Sequence, residues 1–265
     1  MPEHVLEVTD IRRAYGAVRA VDGVSFTVPE GGSLGIVGES GSGKTTTARI
    51  VVGLEQADEG EVRVRGRARP RRVRGRAQHL ARARDVQMVF QDPYLSLDPR
   101  ISAQAVLRET LRLHFPHTDH TRRVTELLDQ VGLGMRAAEA LPRHLSGGQR
   151  QRIAIARALA VEPAVLVLDE SVAALDVSVQ AQILNLLADI REQTSIGYLF
   201  ITHDLGVVRR VTDEVIVMRH GAVVESGATA EVLAAPQHPY TRLLLESVPR
   251  PGWDPERIAT ARRAL

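Results

Sequence analysis

The chain has 265 residues, of which 44% are hydrophobic and 25% charged, with a formal net charge of +2. That length can bury a substantial core, as one large domain or two tightly packed ones, and so small a net charge creates no general attraction for nucleic acid. The absence of cysteine excludes disulfides, thiolate metal sites, cysteine-ligated iron–sulfur clusters and cysteine nucleophiles, and no apolar run reaches the ~20 residues that span a bilayer.

The chain opens on MPEHVLEVTD, which carries acids early and lacks the basic-then-apolar layout of a signal peptide. The protein is therefore expected to stay in the cytoplasm. Apolar alternation predicts strands over 5–8 and 24–28, then a buried strand over 34–37. A helix is expected over 44–53, and further strands over 61–64 and 86–90. The segment 63–84 holds ten arginines and no acid. It lacks aromatics for stacking bases and lies between two strands, so it reads first as a solvated, partly flexible connection, with a contact to anionic lipid or nucleic acid as the alternative. From about 102 to 160 the spacing is helical. Strands follow over 165–168, 198–201, 215–218 and 223–225, the last two joined by a hairpin at His220-Gly221, with helices over 178–193 and 205–211. Strands alternating with helices imply a mainly parallel sheet covered on both faces, with an antiparallel piece near the start and the helical middle as an insertion. The absence of an internal repeat implies a single unit.

Of the 34 lysines and arginines one alone, Lys44, is lysine. A coding bias toward arginine accounts for the rest and leaves Lys44 as the position where a compact ammonium could not become a planar fork. Lys44 lies in Gly38-Glu39-Ser40-Gly41-Ser42-Gly43-Lys44-Thr45, which fits G-x-x-x-x-G-K-[ST] between a predicted strand and a predicted helix. The glycines let the backbone curl so that N–H groups point at phosphate oxygens, and the helix that follows aims its positive end at the same charge. Lys44 would reach the β- and γ-phosphates and the Thr45 hydroxyl would ligate Mg²⁺, with Thr46 next to it. A second apolar strand ends in Asp169-Glu170. Asp169 is placed to hold Mg²⁺ through water, and Glu170 to polarise the attacking water as general base.

Leu145-Ser146-Gly147-Gly148-Gln149, followed by Arg150-Gln151-Arg152 and a helical run, resembles the signature motif of ABC ATPases. Ser146 can cap a helix whose N–H groups stay open to an anion. The resemblance implies an α/β P-loop NTPase (RecA-like) core with an N-terminal antiparallel β piece and an inserted helical subdomain, a single ABC cassette. Its parts would be 1–95 and 161–235 for the nucleotide core, 96–160 for the helical part and 236–265 for a C-terminal extension. It also implies that ATP and Mg²⁺ are bound, and that Ser146, Gly147, Gly148 and Gln149, with Asp176 of the D-loop, contact ATP held by a second cassette. Tyr15 stands where the family stacks an aromatic on adenine, or is a packed strand-end tyrosine. Gln91 resembles the Q-loop glutamine that senses Mg²⁺, and His203 the switch histidine at the γ-phosphate. Ser171 and Ala173 depart from the proline and serine usual there. The segments VFQDPYLSLDPR from Val89, DVSVQAQ from Asp176 and HPYTRLL from His238 are similar to the dipeptide/oligopeptide/nickel importers. That group implies an ATPase at the cytoplasmic face of the cell membrane, paired with a like or unlike cassette beneath two permease subunits and served by an extracellular binding protein. Di- or oligopeptide import is preferred, with nickel or another solute as the alternative. A soluble ABC ATPase acting on DNA or ribosomes would need a second cassette or a long coiled-coil insert. A non-hydrolysing subunit would not need Lys44, Asp169, Glu170 and His203 together. No nucleic-acid partner is expected.

Overall fold

Two long strands open the chain, much longer than the short segments that apolar alternation predicts. β1 (His4–Tyr15) and β2 (Val18–Pro29) each run 12 residues and pair antiparallel from His4↔Pro29 to Tyr15↔Val18. The register shifts between Val8 and Ile11, around Asp10 with its φ of 46°. A bulge there interrupts the alternation, which is why the sequence signal stops at residue 8. β4 (Glu59–Val64) pairs with the other edge of β1, and β5 (Arg67–Ala68) completes a four-stranded antiparallel sheet in the order β2-β1-β4-β5. The computed structural model describes residues 4–70, 72–91, 97–172 and 175–247. Residues 92–96 of the importer-like segment, Ala173 and the end of the C-terminal extension lie outside them.

The second sheet has the order β10-β9-β3-β8-β7-β6. Its strands are β3 (Ser33–Val37), β6 (Val86–Val89), β7 (Val165–Asp169), β8 (Gly197–Ile201), β9 (Glu214–Arg219) and β10 (Ala222–Ala228). All pair in parallel except β10, which closes one edge antiparallel. β3, β7 and β8 are buried at every residue, as their unbroken apolar runs require of strands covered on both faces. The expected turn at His220-Gly221 has φ 49° and 84° at its two residues, the left-handed pair that matches the twist of a two-residue hairpin.

Helices cover both faces. α1 (Lys44–Val52) packs Ala48 and Val51 against Ile36, Val167 and Leu199, and one face of the four-stranded sheet joins the same core. On the opposite face lie α3 (Ala103–His114), α4 (His120–Gln130), α5 (Met135–Glu139), a 3-10 turn at Pro142–His144, α6 (Gly147–Leu159) and α7 (Val177–Gln193). Leu107, Leu127 and Ile153 of this group share one core with Leu166, Leu168 and Phe200 of the sheet. The inserted helices thus rest on the sheet instead of enclosing a core of their own. A third cluster gathers Val37, Val217 and Val208 of α8 (Leu205–Val211), Leu233 of α9 (Thr229–Ala234) and Tyr240 of α10 (Pro239–Glu246). Among the described residues no helix is long and apolar enough to cross a membrane.

The arginine-rich segment is more ordered than a loose connection. It contains α2 (Gly75–Asp85), an exposed helix. It also contains Arg69, a buried side chain whose guanidinium donates to the carbonyls of Val51, Val52 and Arg82. Arg69 thereby satisfies the carbonyl end of α1. Burial, then the nearby charge of Arg82, lower its pKa to about 10, so it stays cationic at neutral pH.

Candidate nucleotide site

The carboxyl ends of β3, β6, β7 and β8 lie along one edge of the parallel sheet, the edge at which such sheets bind ligands. β3 delivers its chain directly into the glycine-rich loop. A side chain at Gly43, where φ is 102°, would put its Cβ 2.2 Å from the Ala20 carbonyl, and one at Gly38 would meet the Met218 carbonyl at 2.3 Å. The loop is therefore pressed between β2 and β9 with no room for a β-carbon at either end. α1 starts at Lys44 without a side-chain cap, which leaves its first-turn N–H groups for an anion. Lys44 is 5% exposed. Its Nζ donates to the carbonyls of Gly38 and Glu39 at 2.7 and 2.8 Å, bracing the loop from inside. Burial lowers its pKa, against the opposing pull of Glu170, Asp169 and Glu39. The Glu39 N–H donates to the Tyr240 hydroxyl at 3.0 Å.

At the end of β7, Asp169 is buried, and its Oδ1 has no hydrogen-bond partner among the described residues. Burial and then the charge of Glu170 push its carboxyl up to about 6, against Arg49 and Lys44. A buried carboxylate oxygen without a donor suits a hard cation. The other expected ligands, the Thr45 hydroxyl at the head of α1 and the Gln91 amide two residues beyond β6, would complete an all-oxygen set that fits magnesium. Glu170 has φ 44° and donates its N–H to the Ile201 carbonyl at 2.8 Å. This left-handed turn is costly for a residue with a β-carbon, and such costs gather at functional positions. Its Oε1 lies 3.1 Å from Nδ1 of His203, two residues past β8.

The structure thus draws Lys44, Asp169 and Glu170 into one electrostatic group, sets His203 against Glu170, and puts Gln91 on the same edge. Ser146, Gly147, Gly148, Gln149 and Asp176 form a second group. Ser146 caps α6 in a reciprocal box: its Oγ accepts from the Gln149 N–H at 3.2 Å and the Gln149 Oε1 from its own N–H at 2.9 Å. Asp176 stands at the head of α7, accepting from Ser178 Oγ at 3.2 Å, and α7 lies against Gly148 through Val179. Tyr15 is exposed at the end of β1. Arg13 covers its ring at 4.9 Å and its hydroxyl donates to Glu55. Ser171 is buried. Arg49, whose charge acts on Asp169, has no local sequence signal, and Tyr240, part of the importer-like HPYTRLL segment, reaches the loop from 201 residues away.

Residues 21–173 match the ABC transporter family, and residues 224–264 match the family described as oligopeptide/dipeptide transporter, C-terminal region. The chain belongs to the ABC transporter family. The cassette is 43% identical over 267 residues to the oligopeptide transport ATP-binding protein OppF of Bacillus subtilis, covering 97% of this chain and 86% of that protein. It is 49% identical over 248 residues to the oligopeptide transport ATP-binding protein OppD of Mycobacterium tuberculosis, covering 93% of this chain and only 40% of that longer one. Among solved structures it resembles cbiO1 of Clostridium perfringens, part of the ABC transporter complex cbiONQ, with TM-score 0.80, 27% identity and coverage of 94% and 98%. A dimeric ATP-binding cassette in a post-hydrolysis state, bound to ADP and Pi, aligns with TM-score 0.74, 28% identity and coverage of 84% and 98%. The cassette is thus an α/β ABC fold with a parallel nucleotide-binding core.

Proposed function

We propose that this cassette hydrolyses ATP to energise an importer of di- or oligopeptides, working against a second cassette at the cytoplasmic face of a membrane. The observation that carries the reading is the convergence of Lys44, Asp169, Glu170 and His203 at the carboxyl edge of the sheet. The loop N–H groups and Lys44 would bind the phosphates. A magnesium ion held by Thr45, Asp169 and Gln91 would offset the charge on them when bound. Glu170 takes a proton from the attacking water, and His203, within reach of Glu170, orients that carboxylate and meets the γ-phosphate. The capped start of α6 and the head of α7 would serve the nucleotide of the partner cassette, and Tyr15 the adenine. The names of the relatives support peptide as the solute, and the matched C-terminal region agrees.

The test is uptake in cells. Inactivating the gene should abolish entry of labelled di- and oligopeptides, and the wild-type chain should restore it. Glu170→Gln should bind ATP and not restore uptake, because a positioned base is worth about 10²–10⁴ in turnover. Normal peptide entry with lost nickel entry would move the cassette to the metal importers of the same family. Full restoration by Glu170→Gln would remove Glu170 from the reaction.

A further inference from the structure

The His238-Pro239-Tyr240 turn lies far from the phosphate loop in sequence, yet it ends in direct contact with that loop. Glu225 of β10 accepts the N–H groups of Gln237 and His238 at 2.7 and 3.1 Å. The His238 Nδ1 accepts the Tyr240 N–H at 3.1 Å, capping α10, and Pro239 starts the helix. Tyr240 is 2% exposed, packed in the cluster that includes Val37, the residue before Gly38. The Arg219 guanidinium lies over its ring at 5.0 Å. A ring held this firmly carries its hydroxyl to one place, 3.0 Å from the Glu39 nitrogen.

That nitrogen belongs to the peptide unit whose carbonyl, on Gly38, accepts from Lys44 Nζ at 2.7 Å. One peptide is therefore gripped at both polar ends, by Lys44 through its oxygen and by Tyr240 through its N–H. The two grips differ in what a nucleotide does to them. An ammonium that turns toward phosphate oxygens gives up loop carbonyls, whereas the tyrosine is not needed at the phosphates and stays.

We propose that Tyr240 is a positioning residue for the phosphate loop, its hydroxyl holding the Gly38–Glu39 peptide in the nucleotide-competent orientation when Lys44 leaves it. This deepens the reading of the cassette as an ATPase and rests on it. The C-terminal region is then part of the nucleotide site, and any partner that shifts α10 acts on ATP affinity. Loss of the hydroxyl lets the peptide turn, so only a fraction of loops is competent and apparent affinity falls by that fraction.

Tyr240→Phe keeps the ring and removes the hydroxyl. In the assembled transporter it should raise KM for ATP about three- to tenfold, the usual worth of one such hydrogen bond, with kcat at saturating ATP changed less than about twofold. Leu243→Ala, a buried residue of the same helix, should lower the thermal midpoint and leave KM unchanged. An unchanged KM in Tyr240→Phe overturns the proposal, and so does a KM that rises equally in Leu243→Ala. Hydrogen exchange at the Glu39 amide, followed without nucleotide, keeps the question separate from the ATPase reading. Should the wild-type chain bind no ATP, that reading fails, and the exchange result decides alone. Faster exchange in Tyr240→Phe supports the anchor, and equal rates overturn it.

Discussion

Asp169 carries two penalties at once, burial and a neighbouring carboxylate, and together they push its carboxyl up to about 6 from the ordinary 3.8. The sign of the linkage follows. Between those two values the folded chain holds a proton that the unfolded chain has lost, so nucleotide-free stability falls as pH rises from about 4 to about 6. Asp169→Asn removes that slope. At pH 7 without magnesium it should raise the thermal midpoint by several degrees, and it should abolish magnesium-dependent turnover. Scanning calorimetry at pH 4.5 and 7 checks this, and equal midpoints for variant and wild type at both values would mean that the carboxylate carries no penalty. Stability is given up here for a charge that a cation can use.

Among the elements, the start of α6 depends on how closely another helix approaches it. A Cβ on Gly148 would lie 2.5 Å from Cγ1 of Val179 on α7. Gly148→Ala should therefore cost about 1–3 kcal/mol by overpacking, and Val179→Ala in the same chain should recover most of it. Urea unfolding of the two single variants and the double variant measures the coupling; additive losses would show that the helices part freely. The end of α1 depends instead on Arg69. Arg69→Ala strands the carbonyls of Val51, Val52 and Arg82 and should cost about 2–3 kcal/mol, while Arg76→Ala on exposed α2 should stay within about 0.5 kcal/mol. Equal losses in the two urea curves would return Arg69 to the solvated majority.

For the whole molecule, the two helix starts proposed to bind anions belong to different parts of the fold. α1 begins at the sheet edge and α6 within the helical group, and in the proposed arrangement each meets the other from a second chain. Glu170→Gln with ATP should form a closed dimer with the correct partner cassette, and adding Ser146→Arg should abolish it. Light scattering of candidate pairs reads this directly. Equal dimerisation by both forms would show that Ser146 does not serve the partner's nucleotide. Whether the partner is a copy of this chain or a different cassette appears in the same experiment as which mixture closes.

The glycine-rich loop, the acids after β7 and the cap at Ser146 were legible in the chain because each is set by contiguous residues. A loop's glycine spacing, an apolar strand with acids at its end and a serine three residues before a glutamine all act within a few peptide units. The turn at His220-Gly221 belongs with them, its left-handed pair being a local property. Beyond that range neighbouring residues alone do not determine the structure. The long β hairpin exceeded its signal because a bulge at Asp10 breaks the alternation while strand pairing continues. Arg69 is one arginine among ten in its segment, and only the packing of β5 and α2 against α1 makes it the one that is buried among those described. Tyr240 was visible as part of a motif, but where its hydroxyl lands depends on β10, α10 and β3 meeting in one cluster. Local sequence decides which peptide groups are available for bonding; which distant side chain receives them is decided by burial, since a buried polar group must find its partner wherever the fold has brought one.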